Sequence, residues 1–280
     1  MPRLLGLAQA SKLYRKLKTK NSAKFSKNGN EVAWGTIGNA STSEGIFFEV
    51  LNAAGVHQVP LVISVWDDDY GISVENKDQT IKKSISKALS GFQRSKNEPG
   101  FEIITVNGWD YPELINTYQK ANDIAREQHI PVIVHVKELT QPIGHSTSGS
   151  HERYKSAERL DWEKRNDCNL KMKTWIIQNG IASEAELNVI EDECKEHVKK
   201  SKNDAWNEYL FPIEKDKNDL LSLMQKIQSD HNTISFNEII NNLKKNKEPN
   251  KKDLISISRK LLRKFIGLES SSINALKTWN

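Results

Sequence analysis

The sequence of residues 32–45 is VAWGTIGNASTSEG, an apolar run followed by a turn of small polar residues. The apolar run favours a strand over 32–37, and the helical spacing after the turn favours a helix over 41–56. A turn of small residues lets the backbone approach an anion, and the free N–H groups at the start of a helix attract one. This stretch therefore predicts a strand, a turn and a helix, with a binding site at the turn.

Three further apolar runs, at 60–65, 101–106 and 131–136, have the composition of buried parallel strands. Segments with helical spacing at 77–89 and 111–128 separate them. Strands and helices that alternate at these lengths predict right-handed crossovers and an α/β fold with an open, doubly wound parallel sheet. Ligands of such sheets bind beyond the carboxyl ends of the strands.

Three acidic residues, Asp67, Asp68 and Asp69, directly follow the apolar run at 60–65. Adjacent carboxylates repel one another unless a cation or a set of N–H donors offsets their charge. Because the ends of neighbouring parallel strands meet at one edge, the acidic run and Asn39 together favour a diphosphate and a hard divalent cation held by oxygen ligands. Taken alone, the turn at 38–43 is more typical of an ordinary strand-to-helix turn with a capped helix than of a cofactor site.

The remaining sequence predicts one domain with extensions. The α/β domain covers 1–140, a loop rich in Ser, Gly and His follows over 141–156, and a helical extension of the same domain covers 157–214. Residues 215–280 have the composition of a basic linker that ends in an amphipathic helix over 253–268. The loop is longer than most connections in compact domains, and loops of that length usually carry function.

The charge of the 280-residue chain, +5 in total, is unevenly distributed. Residues 1–27 contain eight basic and no acidic side chains, and residues 243–264 contain nine basic and two acidic ones. The middle is therefore acidic overall, and a folded binding unit is expected there. The basic ends leave open a second class of function, a nucleic-acid-binding or non-catalytic assembly module, although the C-terminal basic helix lacks interleaved aromatic residues.

The two cysteines, Cys168 and Cys194, are too few for a disulfide framework and form no Cys-x-x-Cys pair. This excludes a metal site built on thiolates. No apolar run approaches the ~20 residues that span a bilayer, and the N-terminus lacks the apolar core of a signal peptide. The composition predicts a cytoplasmic protein without a membrane partner.

Several motifs, collinear with the family, resemble the alpha subunit of the first, decarboxylating component of 2-oxo acid dehydrogenase complexes, which uses thiamine diphosphate. The family motif begins Gly-Asp-Gly and ends Asn-Asn, and here 26 residues separate Gly38-Asn39-Ala40 from Asp67-Asp68. The other matching segments are Thr42-Ser43-Glu44-Gly45, Tyr70-Gly71-Ile72-Ser73, Val106-Asn107-Gly108-Trp109-Asp110 and Ile143-Gly144-His145-Ser146-Thr147-Ser148. The last of these is closest to the branched-chain 2-oxo acid enzyme, and the resemblance extends over about 1–210.

The resemblance implies a fold and a set of site residues. The fold is the thiamine-diphosphate-binding fold, and the metal ligands for Mg²⁺ fall on Asn39, Asp68 and the carbonyl of Tyr70. The family has Asp and Asn at the first two positions, so the acid and the amide have exchanged places while the charge of the ligand set is kept. The implied cofactor-binding residues are Gly38, Asn39, Ala40, Ser41, Asp68, Tyr70, Ile72 and His145.

Further roles are implied for the loop and left open for the acidic run. His145 matches the family's active-site histidine, and Ser146 matches its regulatory serine. The family has neutral residues at the positions of Asp67 and Asp69, so the resemblance explains neither. These two carboxylates are expected to face either solvent or basic neighbours.

The implied activity is oxidative decarboxylation of a 2-oxo acid, branched-chain type favoured, with transfer of the acyl group to a lipoyl group of the acyltransferase component. Pyruvate or 2-oxoglutarate dehydrogenase is the alternative within the family. The implied partners are that component and a beta subunit or fused pyrimidine-binding domain, in an oligomer. In the family, residues that contact the diphosphate and the substrate precede the helix that residues 1–12 resemble, and this sequence has no counterpart of them. The chain is therefore expected to be an N-terminally truncated part of a longer protein, inactive alone.

Overall fold

The computed structural model describes residues 1–17, 20–145, 150–231 and 235–280. These residues divide into two compact units, Met1–Ser183 and Glu184–Asn280. The boundary lies inside the segment 157–214, for which the sequence predicts an extension of the first domain. The unit that carries the predicted site therefore ends at Ser183, and the helices after it form a unit of their own.

The described part of the first unit contains six strands, which are β1 (Ala33–Gly38), β2 (Leu61–Trp66), β3 (Tyr70–Gly71), β4 (Val74–Glu75), β5 (Glu102–Asn107) and β6 (Val132–Lys137). Four of them form a parallel sheet in the order β1, β2, β6, β5, and β3 and β4 form a separate antiparallel hairpin. Each strand of the parallel sheet begins and ends one residue later than its apolar run. The predicted sheet is confirmed.

The α-helices in the described part of the first unit are α1 (Pro2–Leu17), α2 (Gly45–His57), α3 (Asn76–Gln79), α4 (Ile85–Ala88), α5 (Tyr111–Asp123), α6 (Ala157–Arg165) and α7 (Cys168–Gln178). Some of these helices cover the two faces of the parallel sheet. Successive side chains of a strand point to opposite faces. Leu61 and Ile63 of β2 accordingly pack in one core with Phe47 of α2, whereas Val62 packs in a second core with Ala121 of α5. Two cores on either side of one parallel sheet confirm the doubly wound α/β class.

Two predicted helices differ from the structure. The helix predicted over 41–56 begins only at Gly45, because residues 40–43 form a 3₁₀ turn in which Thr42 Oγ1 donates to the carbonyl of Asn39 at 2.5 Å. The helix predicted over 77–89 is broken into α3 and α4. The break lies at Lys82 and Lys83, whose positive φ values of 65° and 56° are incompatible with a right-handed helix.

The described part of the second unit contains a long helix and three shorter ones, α8 (Glu184–Asp230), α9 (Asn237–Lys245), α10 (Lys251–Lys264) and α11 (Ser271–Trp279). These helices pack around a hydrophobic core of their own, which includes Leu220, Met224, Leu254, Leu261 and Leu276. Residues 215–280, interpreted from their composition as a basic linker, thus fold around this core. A limited number of apolar side chains at helical spacing is enough to form a core even in a segment rich in lysine and asparagine. Among the described helices, none combines the length and apolarity needed to cross a bilayer.

Basic side chains of α1 are used inside the first unit. Lys12 Nζ donates to the carbonyl oxygen of Gln58 at 3.0 Å, just beyond the C-terminus of α2. Arg15 Nη2 donates to the carbonyl oxygens of Gly29 at 2.9 Å and Arg126 at 2.7 Å. Part of the positive charge near the N-terminus therefore binds backbone carbonyls, which is a structural role and not the role of an arm that contacts nucleic acid.

Candidate functional site

The predicted site lies where β1 and β2 end side by side. Gly38, the last residue of β1, pairs with Trp66, the last residue of β2. The backbone N–H of Asn39 donates to the carbonyl of Trp66 at 3.0 Å, which extends this pairing by one residue. The small-residue turn after β1 and the acidic run after β2 are therefore neighbours at the carboxyl edge of the sheet, as ligand sites of such sheets require.

Asn39 is the most buried of the predicted metal ligands, at 6% exposure. Its side-chain nitrogen donates to the carbonyl oxygen of Tyr70 at 3.0 Å and to Asn76 Oδ1 at 2.8 Å. Both amide protons are thereby used, while its Oδ1 accepts no hydrogen bond from the described residues. The structure thus brings together two residues predicted as ligands and leaves an amide oxygen available.

Asp68 supplies the only carboxylate among the three predicted ligands. Its Oδ1 accepts a hydrogen bond from the backbone N–H of Tyr70 at 3.2 Å. Burial raises the pKa of Asp68, and this outweighs the backbone hydrogen bond from Tyr70 and the positive charge of Lys155, which both lower it. A carboxylate with a raised pKa carries a negative charge that its surroundings do not fully offset, so a bound cation would stabilise it.

Asp67 faces inward, with 4% of its surface exposed. Its Oδ2 lies 2.8 Å from His135 Nε2, and its Oδ1 accepts from Asn76 Nδ2 at 2.7 Å and from the backbone N–H of Asp69 at 2.9 Å. Burial opposes the charged form, yet the bonds from His135, Asp69 and Asn76 together lower the pKa of Asp67. Of the two expected environments, Asp67 has the basic neighbour, which is His135 on β6.

Asp69 is held by a cation from a distant helix. Arg159 Nη1 lies 2.6 Å from Asp69 Oδ2, and Arg159 Nη2 donates to the carbonyl of Asp68 at 2.9 Å. The same guanidinium binds Glu163 at 2.9 Å, and Lys155 Nζ binds Glu163 at 2.7 Å. Helix α6 therefore binds both Lys155, near the end of the 141–156 loop, and the acidic turn.

The hairpin after the acidic run packs tightly against the small-residue turn. A Cβ atom added at Gly71 would lie 2.6 Å from Ala40 Cβ and 2.5 Å from Gln79 Oε1, so only glycine fits there. The next residue, Ile72, has a φ of 58° and is 59% exposed. A β-branched residue rarely adopts a positive φ, and strained residues of this kind are concentrated at ligand sites.

The remaining predicted site residues are less constrained. Gly38 and Ser41 are exposed at the same edge, and a Cβ at Gly38 would meet no atom within 4 Å. His145 is also exposed, and its catalytic role stays a prediction. Ser146, the predicted regulatory serine, lies outside the described residues.

Sequence reasoning missed the residues that connect these turns, namely Asn76, Lys155, Arg159 and Glu163. Asn76 directly precedes the helix predicted over 77–89. Lys155 lies near the end of the 141–156 loop, and Arg159 and Glu163 follow that loop. Each is a common surface residue type, so its identity alone gave no signal. A search for cationic partners of the unexplained Asp67 and Asp69 is the one route that could have found Arg159.

A metal site here depends on mixed oxygen ligands. Within the described ranges, no group of three or more His, Cys, Asp or Glu side chains is arranged to hold a metal ion. The available set is the amide oxygen of Asn39, the carboxylate of Asp68 and the carbonyl of Tyr70. Such oxygens fit Mg²⁺, which prefers one or two carboxylates together with neutral oxygen donors and substrate phosphates.

Sequence comparison identifies relatives over the first three quarters of the chain. The family model described as "Dehydrogenase E1 component" matches residues 1–212. The pyruvate dehydrogenase E1 component subunit alpha of Rickettsia bellii is 27% identical over 172 residues, which are 61% of this chain and 50% of that protein. The 2-oxoisovalerate dehydrogenase subunit alpha of Bacillus subtilis is 24% identical over 208 residues, which are 74% of this chain and 56% of that protein.

The chain spans about half the length of the curated relatives that it matches. Among solved structures, a transketolase from Campylobacter jejuni aligns with a TM-score of 0.37 and 18% identity, over 48% of this chain and 18% of that one. A similarity of that size is too low to support a conclusion about function, whereas the family match covers most of the chain.

Proposed function

The chain belongs to the dehydrogenase E1 component family, and we propose that it is the part of a thiamine-diphosphate-dependent 2-oxo acid dehydrogenase that holds the diphosphate end of the cofactor. The observation that supports this most is the contact between the ends of β1 and β2. There Asn39 and Tyr70 are joined at 3.0 Å, and Asp68 binds the backbone N–H of Tyr70. These are the residues on which the family's metal-binding motif falls.

In this proposal Asn39, Asp68 and Tyr70 hold Mg²⁺ through one oxygen each. The raised pKa of Asp68 supports the fit, because a divalent cation would offset the charge that burial penalises. The ligand set carries one formal negative charge, and the diphosphate supplies the remaining negative oxygens.

The small residues Gly38, Ala40 and Ser41 hold the diphosphate itself. They leave the backbone of the turn open, and the 13-residue helix α2 begins just beyond it. The N–H groups at such a helix start carry partial positive charge and bind phosphate oxygens. Ile72 presents an exposed apolar side chain directly after Gly71, the residue that packs against Ala40.

When bound, thiamine diphosphate supplies a thiazolium ring that accepts the electrons released by decarboxylation of a 2-oxo acid. The role proposed for His145 is to hold or donate a proton during acyl transfer, since imidazole is the side chain that most often does both in catalysis. This chain otherwise binds and positions the cofactor.

The substrate class is proposed as a branched-chain 2-oxo acid. The sequence of the Ile143–Ser148 loop supports that choice, and one of the two relatives compared is a 2-oxoisovalerate dehydrogenase subunit. The other is a pyruvate dehydrogenase subunit at slightly higher identity, so pyruvate is the competing substrate, with 2-oxoglutarate behind it. Values of kcat/KM for 3-methyl-2-oxobutanoate and pyruvate, measured on the natural full-length protein, decide between them: a higher value for pyruvate would exclude the branched-chain assignment.

The proposed partners are a beta subunit or fused pyrimidine-binding domain and a lipoyl-bearing acyltransferase. The chain spans only about half of its relatives' length, so we expect it to bind cofactor weakly and to lack decarboxylase activity alone. Activity that appears on addition of the partner, and is lost in Asp68→Ala, supports the proposal. Activity that Asp68→Ala leaves intact contradicts it.

A further inference from the structure

A directional chain of hydrogen bonds links Asp67 to Asn39. Asp67 Oδ1 accepts from Asn76 Nδ2 at 2.7 Å, and Asn76 Oδ1 accepts from Asn39 Nδ2 at 2.8 Å. Asn39 Nδ2 also donates to the carbonyl of Tyr70 at 3.0 Å. All members except the Tyr70 carbonyl are side chains at most 6% exposed, so water cannot easily replace these bonds.

The direction of this chain is set at Asp67. A carboxylate is only an acceptor, so the atom of Asn76 that faces it must be the nitrogen. The oxygen of Asn76 then faces Asn39, and Asn39 must present its nitrogen in turn. If the Asn39 amide were reversed, its oxygen would face the oxygens of both Asn76 and Tyr70 without a proton between them.

We propose that Asp67 is a positioning residue which, through Asn76, fixes the amide of Asn39 so that only its oxygen is free to bind a cation. The inference deepens the proposed function and rests on it for the identity of the ligand. It also accounts for the residue at position 67, because an acid at 67 requires an amide at 39. Either position 39 or position 67, at the two ends of the hydrogen-bond chain, can carry an acid, but both cannot.

The two hydrogen bonds of Asn76 can run in the opposite direction only if positions 39 and 67 change together. With Asp at position 39, its oxygens require the nitrogen of Asn76, whose oxygen then faces position 67. An Asn at 67 satisfies that oxygen, whereas Asp67 does not. A lone Asn39→Asp change therefore leaves two acceptors face to face in a buried site. Adding Asp67→Asn restores both bonds of Asn76 in the reversed direction, but the carbonyl of Tyr70 then faces an acceptor and the N–H of Asp69 faces a donor, so the conflict is relieved only in part.

Asp67→Asn alone is expected to be tolerated. Its Oδ1 can still accept from Asn76 and from the N–H of Asp69. Its new amide nitrogen can donate to His135 Nε2, and His135 then donates from Nδ1 to Ser86 Oγ, which lies 2.9 Å away. The histidine adapts by changing tautomer, so the direction of the bond between Asn76 and Asn39 is kept.

The test is a double-mutant cycle on the full chain, with thermal unfolding measured in EDTA so that no cation contributes. We expect Asn39→Asp to lower the Tm by roughly 4 °C or more, and Asp67→Asn to change it by less than roughly 2 °C. The double variant, which has the net charge of the wild type, should recover part of the loss, because the two bonds of Asn76 return while those of the Tyr70 carbonyl and the Asp69 N–H do not. Independent, additive effects of the two changes would overturn the proposal.

Simple charge repulsion is separated by a matched control. Asn39→Asp combined with Asp69→Asn also returns the net charge to that of the wild type, but Asp69 binds Arg159 and is not part of the chain. This control should show no recovery. The coupling between positions 39 and 67 should also vanish in an Asn76→Ala background. Equal recovery by both double variants would show that charge alone is responsible.

Cation binding is read out separately with Mn²⁺ alone, by electron paramagnetic resonance. Asn76→Ala changes no charge but releases the amide of Asn39, so we expect it to weaken Mn²⁺ binding roughly tenfold. Unchanged affinity in Asn76→Ala would refute a positioning role toward the cation. Wild-type protein that shows the unfolding cycle but binds no Mn²⁺ would instead contradict the proposed function and keep the hydrogen-bond chain.

Discussion

Arg159 Nη1 lies 2.6 Å from Asp69 Oδ2, although 90 residues separate the two in the chain. The guanidinium is anchored in turn to Glu163, whose side chain is 3% exposed and also binds Lys155. The acidic turn beside the proposed diphosphate site is thus bound by a cation from helix α6. Together with the bonds from His135 and Asn76 to Asp67, this pair offsets two of the three consecutive carboxylates at the strand end.

The first prediction concerns this contact. Arg159→Ala removes one of two cationic partners of a buried carboxylate, so we expect a loss of about 1–3 kcal/mol in the free energy of unfolding of the first unit. Urea denaturation followed by tryptophan fluorescence measures it. Arg159→Lys is the control, because it keeps the charge but not the fork of donors that reaches both Asp69 and Glu163, and we expect it to recover part of the loss. An Arg159→Ala variant as stable as the wild type would show that the network does not stabilise the fold.

The second prediction separates strain from binding at Ile72. Glycine adopts a positive φ without steric cost, so Ile72→Gly should raise the free energy of unfolding by about 1 kcal/mol. The same change removes the exposed apolar side chain, so thiamine diphosphate should bind more weakly in calorimetry. Ile72→Val, which keeps both the branching and most of the side chain, should change neither quantity much. A glycine variant that binds the cofactor as well as the wild type would remove Ile72 from the site.

The third prediction concerns pH and His129, which is 7% exposed. Burial lowers the pKa of His129, as do the charges of Arg15 and Lys12, and the hydrogen bond with the carbonyl of Gly29 opposes them only in part. A histidine whose pKa is lower in the folded than in the unfolded state stabilises the fold fully above the unfolded value near ~6.5. That contribution is lost as the pH falls below this value.

His129→Asn supplies the comparison for this pH effect. Asn tolerates the φ of 54° at this position and does not titrate. Its shorter side chain gives up the bond that His129 Nε2 makes with Gly29, so the comparison uses the change of stability with pH and not its absolute value. Between pH 7.5 and 5.5 the wild type should therefore lose more stability than His129→Asn, measured by urea denaturation at each pH. Parallel pH profiles of the two proteins would contradict the assignment.

The parallel sheet could be predicted from sequence because its strands are buried on both faces. The β-branched runs at 61–66 and 132–137 are too short for a buried helix and too apolar for a surface loop, which leaves a buried strand. The helix predicted over 77–89 failed for a local reason, the positive φ at Lys82 and Lys83, which helical spacing does not reveal. The fold of residues 215–280 was missed because its few apolar positions are diluted by charged surface.

The residues of the site likewise divide into those that could be predicted from the sequence and those that could not. Asn39, Asp68 and Tyr70 were predicted from the resemblance of short sequence motifs to the family. Their supports could not be predicted, since the bonds from Asn39 to Asn76 and from Asp67 to His135 join residues 37 and 68 positions apart. Only the topology brings β6 beside β2, and only the structure shows that Asp67 faces His135.

The central claim is that the adjacent ends of β1 and β2 hold the diphosphate of thiamine diphosphate through a divalent cation. Calorimetric titration of the chain with thiamine diphosphate, with and without Mg²⁺, tests it most directly. We predict binding that requires Mg²⁺, that is lost in Asp68→Ala and that is kept in the neighbouring control Asp69→Asn. Binding that is independent of Mg²⁺, or that Asp68→Ala leaves unchanged, would contradict the account.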